Sequence, residues 1–135
     1  MSQGMLRHVL YVEDDPDIRE MVAFVLRDIG GFEVTVCANG EEALRCAPAS
    51  NAQLALLDVM MPGLDGPATM EALHRLPQMH DMPVIFMTAK ICVPEVEGYM
   101  ALGALGVIAK PFDTMALCDS IRTLWDQRHR RHATG

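Results

Sequence analysis

Short apolar runs alternate with longer stretches of helical spacing along the whole chain, and this alternation constrains the fold more than any other feature. His8 to Val12 (HVLYV) reads as a first strand. From Pro16 to Ile29, apolar residues at Ile18, Met21, Val22, Val25, Leu26 and Ile29 follow the helical period. Asp15 can cap that helix, Pro16 suits its first turn, and Gly30 and Gly31 stop it. Phe32 to Cys37 alternates like a strand, and Gly40 to Ala47 reads as a short helix. Leu54 to Leu57 is a buried strand that runs into Asp58. Pro62, Gly63 and Gly66 mark a loop ahead of a helix from Pro67 to Leu76. Pro83 to Met87 is a fourth strand, and Pro94 to Leu102 a helix with the weak former Gly98 in its middle. Val107 to Ala109 is a short fifth strand, and Thr114 to Arg128 a last helix capped by Asp113.

Five β-α units in succession predict an α/β fold: a parallel sheet covered by helices on both faces. Right-handed crossovers place the loops after each strand along one edge, the edge where such folds bind ligands. A length of 135 residues suits one domain. The predicted division is an N-terminal tail at 1–6, the domain at 7–127 and a basic C-terminal tail at 128–135. There is no sign of a second domain for output.

Several function classes are disfavoured on composition. No apolar run approaches the roughly 20 residues of a membrane-spanning helix, and no long apolar stretch follows Met1 to His8 as in a signal peptide. A soluble, cytoplasmic protein with no membrane partner is expected. The net charge of −7 argues against a broad nucleic-acid surface. The basic run from Arg128 to His132 reads as a solvated helix end, where cations suit the helix dipole. Cys37, Cys46, Cys92 and Cys118 form no CxxC pair and read as reduced, mostly buried residues. His8 and His74 lack the helical-bundle context of a phosphodonor histidine and read as structural or surface residues.

The informative polar residues fall at strand ends. Glu13, Asp14 and Asp15 end the first strand, Asp58 the third, Thr88 the fourth and Lys110 the fifth. Chance gives no reason for acids, a hydroxyl and a lysine to share one sheet edge. Asp15 or Asp17 can be spent on capping the first helix. Glu13, Asp14 and Asp58 together would repel one another, and a divalent cation such as Mg²⁺ removes that conflict. Two carboxylates, a backbone carbonyl and waters would satisfy it. Asp58 can then act as a nucleophile toward phosphorus, with Lys110 supplying charge and Thr88 a hydrogen bond. Pro111 follows Lys110, and a cis Lys110–Pro111 bond could aim the lysine at the site.

The segments VLYVEDDPDIREMV, LALLDVMMPGLDG, VIFMTAK and GVIAKPFD resemble the bacterial response-regulator receiver family, the CheY-like fold, from about Arg7 to Trp125. The resemblance implies a sheet order of 2-1-3-4-5. It implies Asp58 as phosphoacceptor, Asp14 as the direct acidic Mg²⁺ ligand, Glu13 acting through water and the Met60 carbonyl as the third protein ligand. Thr88 and Ala89 match the family's Thr-Ala pair. Thr88 matches its switch hydroxyl, and Lys110 its phosphate-binding lysine. The implied partners are a sensor histidine kinase or histidine phosphotransfer protein, docking near Ile18 and Met21. A downstream protein would meet the face of helix 4, strand 5 and helix 5. The implied function is a stand-alone signalling switch rather than an enzyme: it catalyses its own phosphorylation and dephosphorylation. A degenerate, binding-only receiver is disfavoured because the set of key residues is complete.

Two departures from the family stand out. Many relatives carry an aromatic residue three before the lysine, where this chain has Val107. A switch without that ring would run through the loop and helix 4. Tyr99, on that helix, reads as a packing or partner-contact residue. Second, Met60 and Lys90 sit two beyond Asp58 and Thr88. A bulky apolar Met60 would hinder an attacking water and slow dephosphorylation. Two other readings fit less well. A Mg²⁺-dependent phosphatase of the haloacid-dehalogenase type wants a second Asp where Met60 stands. A flavodoxin-like nucleotide module wants Ser, Thr and Gly amides where Glu13 to Asp15 stand.

Overall fold

Strands with two apolar faces must be covered on both sides, and a parallel sheet with crossover helices does this. The computed structural model describes residues 4–134, with side chains described through Arg128. Its strands are β1 (His8–Val12), β2 (Glu33–Cys37), β3 (Leu54–Asp58), β4 (Val84–Thr88) and β5 (Gly106–Ala109). They form one parallel sheet in the order β2-β1-β3-β4-β5, the order the resemblance implied. Register pairs Asp58 with Met87 and Thr88 with Ala109, so Asp58, Thr88 and Lys110 leave the sheet at the same edge.

The helices are α1 (Pro16–Phe24), α2 (Gly40–Ser50), α3 (Gly66–Arg75), α4 (Val93–Ala101) and α5 (Thr114–Thr134). One core packs Val9, Tyr11, Leu56 and Ile85 of the sheet with Val22, Leu26, Ile121 and Trp125. The opposite core packs Leu10, Leu57 and Phe86 with Ala43, Ala47, Met70 and Leu73. Asp15, Asn39 and Asp65 cap α1, α2 and α3 by accepting from backbone amides. Asp113 Oδ1 accepts from the Met115 amide at 2.9 Å, as expected for the start of α5. Among the described residues, no helix is long and apolar enough to cross a membrane.

Some element ends differ from the sequence reading, each for a local reason. The first helix does not run as one α-helix to Ile29: its last turn, Val25–Ile29, is π-helical. The Gly30 amide reaches the Val25 carbonyl five residues back, at 3.0 Å. Gly30 also has no room for a Cβ against Cys118 Sγ, so α5 comes close here. Arg122 of α5 donates to the Gly30 carbonyl and lies over the Phe32 ring, 4.5 Å from its centroid. α2 passes through Pro48 to Ser50 instead of ending at Ala47, and Asn51 closes it with φ of 61°. A short 3₁₀ turn, Pro77–Met79, follows α3. α5 continues past Arg128 to Thr134, while the side chains of His129 to His132 lie outside the described residues.

Cys37 and Cys118 are buried and Cys46 partly so, but Cys92 is exposed at the start of α4, against the expectation for it. Burial, with Cys46 and Glu42 nearby, pushes the Cys37 thiol up to about 12. The two histidines singled out above make structural contacts. His8 Nε2 meets Thr35 Oγ1 at 2.7 Å, and His74 Nε2 donates to the Met82 carbonyl at 2.8 Å.

Gly66 and Gly98 test this packing in opposite directions. A Cβ on Gly66 would stand 2.7 Å from the Asp58 carbonyl oxygen and 2.9 Å from Val59 Cα, both backbone atoms. Around Gly98 there is open space. In urea unfolding, Gly66→Ala should lose about 2 kcal/mol, and Gly98→Ala should gain about 0.5 kcal/mol. A wild-type midpoint for Gly66→Ala would mean that the loop after β3 yields freely.

Candidate functional site

The carboxyl edge of the sheet gathers charged groups that burial would ordinarily exclude. Asp58, the last residue of β3, is 4% exposed, and Glu13, just beyond β1, is 1% exposed. Asp14 beside it is half-buried. Glu13, Asp14 and Asp58 each offer a carboxylate oxygen within 4.8 Å of the others. Asp15 turns away: its Oδ1 accepts from the amides of Asp17 at 2.9 Å and Ile18 at 3.2 Å.

Lys110 reaches this cluster from the end of β5. Its Nζ donates to Asp58 Oδ1 at 2.9 Å and lies 3.5 Å from Glu13 Oε1. The Lys110–Pro111 peptide is cis. Thr88 is buried, and its Oγ1 accepts from the Lys90 amide at 3.1 Å, so the hydroxyl is engaged in its own turn. Ala89 and Lys90 are exposed in that turn. The Met60 side chain stands in solvent, 75% exposed. Val107 is half-buried on β5 and pairs in register with Phe86. The aromatic neighbour of Phe86 is instead Tyr99 of α4, with ring centroids 5.2 Å apart.

Two contributors were not singled out from sequence. Tyr11 is fully buried in β1, and its hydroxyl faces Glu13 Oε1 at 3.5 Å. Its signal was a phenol within an otherwise aliphatic strand end. Arg19 of α1 reaches back to donate to the carbonyls of Glu13 at 2.9 Å and Asp14 at 3.4 Å, steadying the loop that carries both acids. A cation early in the first helix, after an acidic run, was its only mark.

Burial sets the electrostatics. Desolvation raises the Asp58 carboxyl above its ordinary range, while Lys110 works in the opposite direction. Desolvation and the Asp58 charge likewise raise Glu13, again opposed by Lys110. Burial disfavours the Lys110 ammonium, but its bond to Asp58 and the charges of Asp58 and Glu13 outweigh this and hold it above the ordinary lysine value. Burial, then Glu13 and Asp58, push the Tyr11 phenol up. One ammonium meets two of the three clustered carboxylates. That all-oxygen donor set with surplus negative charge fits a hard divalent cation such as Mg²⁺.

Comparisons with known proteins agree with this fold. Residues 9–122 match the family model described as the response regulator receiver domain. The transcriptional regulatory protein CseB of Streptomyces avermitilis is 39% identical over 129 residues, covering 95% of this chain and 52% of the relative. The response regulator Rre1 of Synechocystis is 33% identical, covering 86% of this chain and 50% of the relative. The chain thus spans about half the length of these curated relatives. Among solved structures, the chemotaxis protein CheY4 of Vibrio cholerae superposes with a TM-score of 0.82 at 30% identity, covering 89% of this chain and 99% of that one.

Removing the lysine should expose the cost of the cluster. With divalent cations chelated, Lys110→Met should lower stability by about 3 kcal/mol, because two buried carboxylates lose their counter-charge. Adding Asp58→Asn should restore most of that loss. Equilibrium urea unfolding of the single and double variants reads this directly, and equal stability of wild type and Lys110→Met would mean the ion pair carries no net weight.

Proposed function

The chain belongs to the response regulator receiver family, and from that premise we propose that Asp58 accepts a phosphoryl group from a phosphohistidine of a sensor histidine kinase or histidine phosphotransfer protein. The observation that carries the proposal is the 2.9 Å contact of Lys110 with a buried Asp58 beside two further acids. An Asp58 carboxylate oxygen attacks phosphorus, the phosphorus–nitrogen bond to the imidazole breaks, and an acyl phosphate forms on Asp58. Lys110 stays with the transferred group and balances charge on its equatorial oxygens. The Thr88 hydroxyl, which accepts from the Lys90 amide, turns away from it and donates to a phosphoryl oxygen, with the Ala89 turn following. Asp14, Asp58 and the Met60 carbonyl would hold Mg²⁺ directly, and Glu13 through water. When bound, the ion supplies further positive charge to the transferring phosphoryl group.

Phosphorylation in this reading shifts a population between two packings of the face formed by α4, β5 and α5, where a downstream protein binds. The phosphodonor docks near Ile18 and Met21 on α1, with Met21 45% exposed. A hydrolase reading has less support, because Met60 occupies the position where the phosphatase would carry its general acid. Cytoplasmic residence suits phosphotransfer from a kinase of this type. The relatives named as transcriptional regulators are about twice as long as this chain. The expectation of no nucleic-acid partner is therefore proposed for this acidic domain alone and not for a whole protein.

Two measurements test the proposal. Incubation with acetyl phosphate and Mg²⁺ should add one phosphoryl group to the intact mass of the wild type and none to Asp58→Ala; gain retained in the variant would mean another nucleophile. Met60, apolar and two residues beyond Asp58, should keep water from the acyl phosphate. Met60→Asn should therefore lose the phosphoryl group several-fold faster in a decay time course, and an unchanged rate would remove that role.

A further inference from the structure

α4 is held differently from the other helices. None of its residues is buried, and no side chain caps its start at Cys92. Val93 and Met100 on it, and Leu102 just after it, stand exposed. What joins it to the core is Tyr99, which packs against the cluster beneath α2 and α3 and meets the Phe86 ring at 5.2 Å with a 53° tilt. The Tyr99 carbonyl also accepts from the Leu102 and Ala104 amides, tying the helix end to the chain that enters β5.

Phe86 connects that contact to the site. It is fully buried and lies two residues before Thr88 on β4, so both side chains point to the same face of the sheet. Its ring edge lies 3.2 Å from where a Cβ on Gly66 would stand, at the start of α3, after the loop that follows Asp58. Its in-register neighbour on β5, Val107, offers no ring.

From this geometry we infer that the Tyr99–Phe86 ring contact is the latch that keeps α4 on the sheet until Asp58 is phosphorylated, so that Tyr99 positions the output helix in this chain. The inference rests on the reading of Asp58 above. In the unmodified protein, the Thr88 hydroxyl anchors the Lys90 amide and so fixes the turn leading into α4. When the hydroxyl turns to a phosphoryl oxygen, that anchor is lost. The Tyr99–Phe86 ring contact is then the side-chain hold that opposes release of the helix, and a single aromatic pair is a weak one. Coupling is reciprocal. If phosphorylation weakens the latch, removing the latch must favour phosphorylation.

The test is hydrogen exchange of the peptide covering 93–101, before and after acetyl phosphate and Mg²⁺, with intact mass read on the same samples. In wild type, exchange in α4 should rise about tenfold on phosphorylation. In Tyr99→Leu it should be fast beforehand and rise by about twofold or less. Tyr99→Phe should behave as wild type, which a role for the hydroxyl would not allow. If Tyr99→Leu does not fold, Phe86→Leu removes the same contact from the other side and should give the same pattern. A phosphoryl gain with unchanged α4 exchange in wild type, or an undiminished rise in Tyr99→Leu, overturns the latch and leaves the Asp58 reading standing. No phosphoryl gain in wild type overturns both.

Discussion

An ammonium shared between two buried carboxylates is the interaction on which the rest of this molecule turns. Lys110 bonds Asp58 and approaches Glu13. Buried ion pairs do not stabilise folds cheaply, since desolvating the charges offsets much of their attraction. Here the balance is worse, because Asp14 adds a further negative charge within the same cluster. The sheet edge is therefore held under electrostatic tension that a hard cation relieves. A group that brings both negative charge and new hydrogen-bond acceptors would compete for Lys110 and Thr88. The parallel sheet makes this arrangement possible. It delivers the ends of β1, β3, β4 and β5 to one edge while burying the strands that carry them.

That edge was legible in the sequence because its two signals are independent of packing detail. Apolar runs of four or five residues marked the strands, and a polar residue ended each strand that contributes to the site. The parallel solution then forced those ends together. Caps were equally readable: Asp15 and Asp113 accept from the amides that capping chemistry assigns to them. Sheet order was available only through the family resemblance, since periodicity does not say which strand neighbours which.

What escaped the sequence depends on distances between elements. The π-helical turn at Val25–Ile29 has apolar spacing indistinguishable from the α-helix before it. It reflects the close approach of α5 at Gly30, which no local pattern records. Tyr11 read as one more apolar strand residue, yet its hydroxyl faces the carboxylate two residues on. Arg19 belongs to no sequence pattern, yet it holds the carbonyls of the acidic loop. Cys92 departed from the general habit of free cysteine to be buried, because the loop into α4 runs over the surface.

The contrast between the last two helices limits where a conformational change can go. α5 buries Leu117, Cys118, Ile121 and Trp125 against the sheet and ties Arg122 to the Gly30 carbonyl. Fully burying a large apolar side chain contributes about 2 kcal/mol. Lifting α5 would forfeit several such terms at once, more than a handful of hydrogen bonds to one phosphoryl group can offset. α4 buries no residue fully, so its displacement costs little, and low-stability segments are where switching elements are drawn from. The loop between Thr88 and Val93 leads directly into it. A rearrangement begun at Thr88 therefore has one inexpensive direction: α4 moves over a sheet and an α5 that stay in place, and the face they share changes shape from that side.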